Sequence, residues 1–322
     1  MGELPICDLV ELPPSSSVQQ KTLKTSIHCN GIGLHSGEKI AMSLYPAEID
    51  TGVVFRRTDL RNGHRDVIAR FANVSDTRLC TSLANEAGTT VATVEHLMAA
   101  LAGCEIDNVE IELNGPEVPI MDGSAEPFVF LIECAGVVEQ KAPRRAIQIL
   151  KPVVVRAGDA VARMEPSDDF SVQLGIEFDN PMIGTQEMNV DVSRAVFKSE
   201  ICRARTFGLL EDVEALRNAG LAKGGSLDNA VVVSDSGILN DGGLRYKDEF
   251  VRHKVLDCIG DMYLAGGPIV GRFVGRRAGH RINHLMLHAI FADDDAWCYA
   301  DMDLLPGAEL NGWTGEPAVA VA

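Results

Sequence analysis

One histidine and two aspartates spaced four residues apart form the clearest chemical pattern in the chain. His253, Asp257 and Asp261 share one face of a helix predicted over residues 251–261, because 3.6 residues complete a helical turn. The positions between them are mostly apolar, which predicts a buried helix whose polar stripe needs partners. A hydrogen-bonded His–Asp pair in the core and a metal site fit this stripe about equally well.

A third ligand is available from His96, in a helix predicted to start near a capping Thr93 and to end at Gly103. A His, His, Asp set leaves a fourth tetrahedral position open to water, which is the arrangement of a catalytic zinc site. Glu95 precedes His96, and adjacent helical side chains diverge by roughly 100°. Glu95 is therefore better placed to take a proton from water than to bind the same ion, although a solvated acid at a helix N-terminus is the simpler interpretation.

The other histidines give weaker signals. His280 follows Gly279 in a predicted loop, from which a side chain can reach a site, and spacing alone leaves it equally open to have no role. His284 and His288 alternate with leucines, which predicts a strand with both imidazoles on the surface.

Hydrophobic periodicity predicts the elements that must position these residues. Alternation predicts strands near residues 38–44, 52–57, 66–72, 78–83, 89–94, 109–113, 146–156, 160–164, 171–178 and 185–192. Helical spacing predicts helices near residues 95–103, 125–136 and 247–265, and a small amphipathic helix that includes 209–216 and stops at Gly220. Strands followed by helices, twice, predict two α+β domains, each of which pairs a sheet with helices.

The domain boundary is predicted at residues 141–145, which are polar, contain a proline and separate the two sets of elements. Domain I would cover residues 20–141 and domain II residues 142–310, so the candidate ligands come from both. A proline- and serine-rich extension is predicted for residues 1–19 and a tail for residues 311–322.

Composition excludes several classes of function. The net charge of −17 and isoelectric point near 4.9 disfavour a nucleic-acid surface, which needs a basic face, so an anionic ligand must meet local positive charge. No apolar run approaches the ~20 residues of a membrane-spanning helix, and the amino terminus has acids where a signal peptide has basic residues. The eight cysteines include no CxxC pair and are expected to be reduced thiols in a cytoplasmic protein.

Familiar nucleotide and hydrolase motifs are missing from the sequence. GIGLHSG at residues 31–37 approximates a dinucleotide fingerprint but has one residue too many and precedes a strand. No GxxxxGK[ST] loop, GxSxG elbow or HExxH helix occurs, which leaves nucleoside-triphosphate hydrolysis, serine hydrolysis and the zincin arrangement without support.

Over residues 20–305 the chain resembles the UDP-3-O-acyl-N-acetylglucosamine deacetylases, the zinc amidases of lipid A synthesis in Gram-negative bacteria. The motifs that carry the resemblance are GIGLHSG at 31–37, VEHL at 94–97, PIMDGS at 119–124, RARTFG at 203–208, GGS at 224–226, HKVLD at 253–257, GD at 260–261 and AGH at 278–280. They are specific as a set, and the chain departs from the family pattern at no position that matters to the chemistry.

The resemblance implies a role for each candidate residue. His96, His253 and Asp257 would bind one zinc ion, and Fe(II) would accept the same ligands. Glu95 would be the general base and His280 the general acid. Further implied roles are Asp261 as the electrostatic partner of His280, Thr206 at the substrate carbonyl, and Phe207 and Lys254 against the sugar nucleotide.

The resemblance also implies an architecture. Each domain would be a helix layer on a sheet layer, with the helix layers facing each other in a β-α-α-β sandwich and the active site between them. An insertion at residues 196–233 would form a βαβ unit with a passage for the hydroxyacyl chain, lined by Leu210, Val213 and Leu227. The core of a small insert is an equally good account of those three side chains.

The main prediction is a cytoplasmic monomer that hydrolyses the N-acetyl group of acylated UDP-N-acetylglucosamine. Two other functions are alternatives to it. One is a catalytically silent protein that holds an acylated nucleotide sugar around a structural metal, against which the open three-ligand set and Glu95 both count. The other is a metal amidase or deaminase that acts on a different substrate. The presence of an acyl passage would distinguish this chain from such an enzyme.

Overall fold

The computed structural model describes residues 18–61 and 63–302. The predicted extension therefore lies outside the described residues as far as residue 17, and the predicted tail lies wholly outside them. Gln19 does not belong to an extension, because it begins the first strand and pairs with Pro143.

The first half alternates short strands with two helices. Its strands are β1 Gln19–Leu23, β2 Ile27–Ile32, β3 Lys39–Pro46, β4 Val53–Arg57, β5 Asp66–Ile68, β6 Val74–Asp76, β7 Ser82–Ala84, β8 Thr90–Val91, β9 Val109–Leu113 and β10 Val137–Pro143. Its helices are α1 Glu95–Gly103 and α2 Glu126–Ala135, and a 3-10 turn covers Phe71–Asn73.

The second half carries longer strands and the longest helix. Its strands are β11 Arg145–Ile149, β12 Val153–Ala157, β13 Ala160–Glu165, β14 Phe170–Glu177, β15 Thr185–Asp191, β16 Phe207–Leu209, β17 Val231–Ser234, β18 Gly237–Ile238, β19 Ile269–Arg276 and β20 Trp297–Asp301. Its helices are α3 Arg194–Val196, α4 Leu210–Asn218, α5 Glu249–Tyr263 and α6 His280–Phe291, with a π-helical turn at Phe197–Ile201.

The strands of each half form their own main sheet. In the first half the order is β2-β3-β9-β4-β5, and in the second β12-β13-β19-β11-β20, with β14 and β15 continuing from β19. Polar and apolar residues alternate along β3, where Ile40, Met42 and Leu44 are buried and their neighbours are more exposed, so one face of the sheet enters the core. Strand β10 pairs with β1, whereas β11 pairs with β19 and β20. The division into domains near residue 141 stays a prediction.

Helices cover the sheets and meet each other across the centre of the molecule. Helix α2 packs on β2, α5 on β14 and β15, and α6 on β12 and β13, while α1 packs along α5. The crossing of α1 and α5 is unusually close, since a Cβ added at Gly260 would lie 2.0 Å from the Glu95 carbonyl oxygen. Glycine is required there because no other residue lets the two backbones approach so closely. The predicted α+β class is confirmed.

Four local predictions were wrong. The single strand predicted near residues 146–156 is two strands, β11 and β12. His280 begins α6 rather than lying in a loop, and His284 and His288 lie on that helix rather than in a strand. The buried Ile282, Met286 and Ile290 recur every four residues, and this helical period outweighs the short alternation with leucine. At the start of α1, Thr93 does not cap the helix. Its φ is +57°, and its hydroxyl donates to Glu117 instead.

The βαβ unit in the second half is present with shifted bounds. Parallel strands β16 and β17 are joined through α4, and β18 adds an antiparallel third strand. The sequence assigned residues 196–206 to this unit. In the structure residue 196 ends α3, and the π-helical turn follows it.

The seven cysteines within the described residues are free thiols, as predicted, and Cys7 lies outside them. Among the helices of the described residues, none combines the length and apolarity needed to cross a bilayer.

Candidate active site

Three buried side chains from two crossing helices converge on one point. His96 lies in the first turn of α1, and His253 and Asp257 lie one turn apart on α5. One ligand atom from each lies within 4.8 Å of the others, and each residue is less than 5% exposed. Asp257 Oδ1 is 3.6 Å from His96 Nε2 and 3.4 Å from His253 Nε2. The structure thus brings the three predicted ligands together.

The spacing and the unpaired carboxylate oxygen of this cluster fit a metal ion. Ligands about 2.0–2.1 Å from one tetrahedral ion lie roughly 3.3–3.4 Å from each other, close to the two distances found here. Among the described residues that form the cluster, Asp257 Oδ1 is buried without a hydrogen-bond partner. A buried carboxylate oxygen without a partner is costly, and a cation between the three side chains would remove that cost.

Hydrogen bonds to backbone and side chain leave the correct atoms free to bind an ion. His253 Nδ1 donates to the Ala204 carbonyl oxygen at 3.1 Å, which leaves Nε2 with its lone pair toward the cluster. Burial lowers the pKa of His253 to about 3, so the ring is neutral, as a ligand must be. The Lys254 ammonium donates to Asp257 Oδ2 at 2.8 Å, so only Oδ1 remains unengaged.

Charge keeps Asp257 ionised despite its burial. Burial acts to raise the pKa of Asp257, but the adjacent Lys254 ammonium acts in the opposite direction, and the pKa lies well below its usual range. Burial acts to lower the pKa of Lys254, but the Asp257 carboxylate has the larger effect and raises the pKa of Lys254 above its usual value. The pair places a carboxylate at the cluster and a local positive charge beside it.

Glu95 lies beside the cluster at the first residue of α1. Its Oε2 accepts a hydrogen bond from the Thr81 backbone N–H at 3.1 Å, and its Oε1 is 3.6 Å from His280 Nε2. Burial raises the pKa of Glu95 above its usual value, against the opposing effect of His280 and His96. A carboxylate with a raised pKa has the proton affinity that a general base requires.

His280, in the first turn of α6, faces Glu95 beside the cluster. Its Nδ1 donates to Asp261 Oδ2 at 2.8 Å, and Asn283 Nδ2 donates to the same oxygen at 2.9 Å. Burial acts to lower the pKa of His280, but Asp261 and Glu95 outweigh it and raise the pKa to about 9. The ring therefore carries a proton at neutral pH, with Nε2 directed between Glu95 and Asp257.

Thr81 is a member of this site that the sequence did not reveal. Its hydroxyl donates to Asp261 Oδ1 at 2.6 Å and lies 3.2 Å from His280 Nδ1, while its backbone N–H holds Glu95. Its segment shows only the alternation of a short strand, and its partners are remote in the sequence, so no local signal could have found it.

The residues predicted to meet the acetyl carbonyl and the sugar nucleotide come from two elements. Thr206 directly precedes β16, Phe207 begins that strand, and Lys254 lies on α5. Thr206 is fixed through its backbone, which donates to the Gly123 carbonyl and accepts from Val231. The Phe207 ring centroid is 6.2 Å from that of His253, and Lys254 Nζ lies 5.6 Å from the Phe207 ring centroid. An aromatic face and an ammonium group thus border the ligand cluster on one side.

Leu210, Val213 and Leu227 lie in the insertion rather than in the cluster. Leu210 and Val213 are half-buried on α4, and Leu227 is 47% exposed in the segment that follows. No residue of α4 is buried. Their assignment to an acyl passage stays a prediction.

A second residue that sequence reasoning missed is Glu117, which is 2% exposed. Its carboxylate accepts hydrogen bonds from the backbone N–H groups of His35 and Ser36 and from the Thr93 hydroxyl. It therefore ties the loop at residues 31–37 to the segment that precedes α1. That loop in turn contacts the insertion, since Gly224 N–H donates to the Leu34 carbonyl at 3.0 Å.

Comparison with known proteins gives consistent matches over most of the chain. The family model described as LpxC: UDP-3-O-acyl N-acetylglycosamine deacetylase matches residues 20–292. A protein of Acidithiobacillus ferrooxidans named UDP-3-O-acyl-N-acetylglucosamine deacetylase is 52% identical over 286 residues, which cover 88% of this chain and 93% of that protein. Proteins of the same name from Thioalkalivibrio sulfidiphilus and Pseudomonas entomophila are 51% and 50% identical, each over 282 residues that cover 87% of this chain and 92% of the relative.

Proposed function

This chain belongs to the UDP-3-O-acyl N-acetylglycosamine deacetylase family, and we propose that it hydrolyses the N-acetyl group of UDP-3-O-(hydroxyacyl)-N-acetylglucosamine. The products are acetate and the free amine, an intermediate of lipid A synthesis. The observation that carries the proposal is the buried His96, His253 and Asp257 cluster with Glu95 and His280 beside it. The predicted cytoplasmic location and monomeric state stay predictions.

His96 Nε2, His253 Nε2 and Asp257 Oδ1 would hold one Zn²⁺, or Fe²⁺, which accepts the same ligands. The ion would supply Lewis acidity, which activates water and polarises the amide carbonyl. Lys254 supports this arrangement because it engages the other oxygen of Asp257 and leaves Oδ1 unpaired.

Glu95 acts as the general base on the attacking water. Its Oε2 is engaged by the Thr81 N–H, so Oε1, which faces His280 Nε2 at 3.6 Å, receives the proton. The water oxygen attacks the acetyl carbonyl carbon and forms the new C–O bond. Thr206, which the family resemblance assigns to the substrate carbonyl, stabilises the negative charge that develops on the carbonyl oxygen.

His280 acts as the general acid on the leaving nitrogen. Its Nδ1 proton is bound by Asp261, so the proton that is transferred is the one on Nε2. As the C–N bond breaks, Nε2 donates that proton to the amine and His280 becomes neutral. The product acid leaves as acetate after it loses its proton. Of that proton and the one held by Glu95, one returns to His280 and the other passes to the amine, so that both residues regain their starting states.

Substrate recognition combines charge, stacking and apolar contact. Lys254 supplies local positive charge in a chain of net charge −17, and Phe207 offers a ring face to the sugar nucleotide. The half-buried apolar residues of α4 would contact the acyl chain, where each buried methylene contributes about 0.8 kcal/mol.

The proposal is tested by acetate and amine release from acylated UDP-N-acetylglucosamine by the purified protein, with UDP-N-acetylglucosamine as the matched substrate. We expect kcat/KM for the acylated sugar to be far higher. Tight binding without acetate release would favour a silent binding protein. Equal turnover of both sugars would favour a general sugar deacetylase that has no acyl passage.

A further inference from the structure

We infer that Thr81 is a positioning residue that orients both the general base, Glu95, and the general acid, His280. Its backbone N–H binds Glu95 Oε2, and its hydroxyl binds Asp261 Oδ1 and contacts His280 Nδ1. The inference rests on the proposed function, because it concerns proton transfer in the same reaction.

The backbone of Thr81 is fixed by the start of α1. Its carbonyl oxygen accepts from the Val94 N–H at 3.2 Å, while its own N–H donates to the Glu95 side chain at 3.1 Å. Thr81 is 2% exposed and directly precedes strand β7. These two backbone hydrogen bonds therefore fix the position of the Thr81 Cα atom, and so the base of its side chain, relative to Glu95.

The side chain of Thr81 reaches from the first half of the chain to helices α5 and α6. Its single hydroxyl proton goes to Asp261 Oδ1 at 2.6 Å, because a carboxylate only accepts. The other oxygen of Asp261 accepts hydrogen bonds from His280 Nδ1–H and Asn283 Nδ2–H. With both oxygens engaged, the Asp261 carboxylate cannot rotate, and its orientation fixes the plane of the His280 ring.

These contacts determine which atoms remain available for chemistry. On Glu95, Oε2 is occupied and Oε1 is free; on His280, Nδ1 is occupied and Nε2 is free. The two free atoms face each other at 3.6 Å beside the ligand cluster. The methyl group of threonine restricts rotation about χ1 and so holds the hydroxyl toward Asp261, which serine does less strictly.

The test replaces Thr81 by valine, which keeps the shape and removes the hydroxyl. Loss of a group that orients a catalytic side chain typically lowers activity ~10- to 100-fold. We expect Thr81→Val to lower kcat by about that factor with KM near the wild-type value, and Thr81→Ser to recover most of the loss. Metal content should stay at the wild-type level in both variants.

The matched control is Thr22→Val. Thr22 is also a buried threonine, whose hydroxyl donates to the Asn108 carbonyl at 2.7 Å, away from the site. We expect its kcat to be unchanged even if its melting temperature falls. A Thr81→Val kcat within twofold of wild type would contradict the inference. So would equal loss in Thr81→Val and Thr22→Val, which would show a general effect of removing a buried hydroxyl.

A second readout does not depend on turnover. The His280 Nδ1–H proton, assigned in the NMR spectrum by its loss in His280→Ala, should exchange with solvent faster in Thr81→Val than in wild type, Thr81→Ser or Thr22→Val. An unchanged exchange rate would overturn the inference. If the wild-type protein released no acetate, the proposed function would fail, while this measurement would still decide whether Thr81 positions His280.

Discussion

The ligand cluster and the βαβ insertion differ most in how tightly the protein packs around them. Glu95, His96, His253 and Asp257 are each less than 5% exposed, at a helix crossing so close that only glycine fits at residue 260. Helix α4 of the insertion has no buried residue, and its apolar side chains are half-exposed. Dense packing fixes ligand atoms to within the tolerance that coordination requires. Loose packing leaves apolar surface that a flexible substrate chain can cover.

The largest effects should follow loss of a ligand. We expect His96→Ala, His253→Ala and Asp257→Ala each to lose the bound ion and all measurable activity, because two ligands hold an ion far less tightly than three. Metal analysis of each purified variant checks this, with His288→Ala, an exposed imidazole on α6, as the control that keeps its metal. Stoichiometric metal in all three ligand variants would contradict the assignment.

Loss of the base or the acid should leave the metal in place and slow the chemistry. Each proton-transfer group typically contributes ~100- to 10,000-fold to the rate. We therefore expect Glu95→Ala and His280→Ala to lower kcat within that range at unchanged metal content, measured by acetate release. A rate within a few-fold of wild type in either variant would show that the substituted residue does not transfer the proton.

The pH profile of turnover should be bell-shaped. Glu95 must be deprotonated to accept a proton, so activity falls as the pH drops through its raised pKa. His280 must be protonated to donate, so activity falls as the pH rises through about 9. Beyond either pKa, the rate changes about tenfold per pH unit. Glu95→Ala should remove the acidic limb and His280→Ala the basic limb. A limb that persists in its variant belongs to another group.

The smallest effects are expected in the insertion, and they should depend on the substrate. We expect Val213→Asp or a charged residue at Leu227 to lower kcat/KM for acylated substrate roughly tenfold or more, since burying acyl methylenes beside a charge forfeits about 0.8 kcal/mol for each one displaced. Metal content should not change. Ala215→Asp, on the exposed side of the same helix, is the control. An equal loss of kcat/KM for acylated and unacylated sugars would show that these residues do not line an acyl passage.

The sequence revealed the parts of the site that follow from local periodicity. The spacing of His253, Asp257 and Asp261 placed three polar groups on one helical face, and α5 carries them there. The apolar spacing around Leu210 predicted the helix of the insertion, whereas its βαβ order was implied by the family resemblance. Local periodicity failed where two periods compete over a few residues, as at His284 and His288, which lie on a helix.

Contacts between distant segments could not be predicted from one sequence. Thr81 binds Glu95 at the start of α1 and Asp261 on α5, two helices that cross at Gly260. Glu117 likewise accepts hydrogen bonds from the His35 backbone N–H and from the hydroxyl of Thr93, two residues before α1, and neither contact has a signal in the sequence. Burial of His280 between two carboxylates, which determines its pKa, also depends on the folded arrangement.

Removal and return of the metal tests the central claim most directly. The ion is extracted from the wild-type protein with a chelator, and bound metal and acetate release from acylated UDP-N-acetylglucosamine are measured on the same sample before extraction, after it and after addition of one equivalent of Zn²⁺. We expect one ion per chain at the start, loss of activity in proportion to the metal removed, and recovery with the added equivalent. Full acetate release from metal-free protein would contradict the assignment of His96, His253 and Asp257 as the ligands of a catalytic ion.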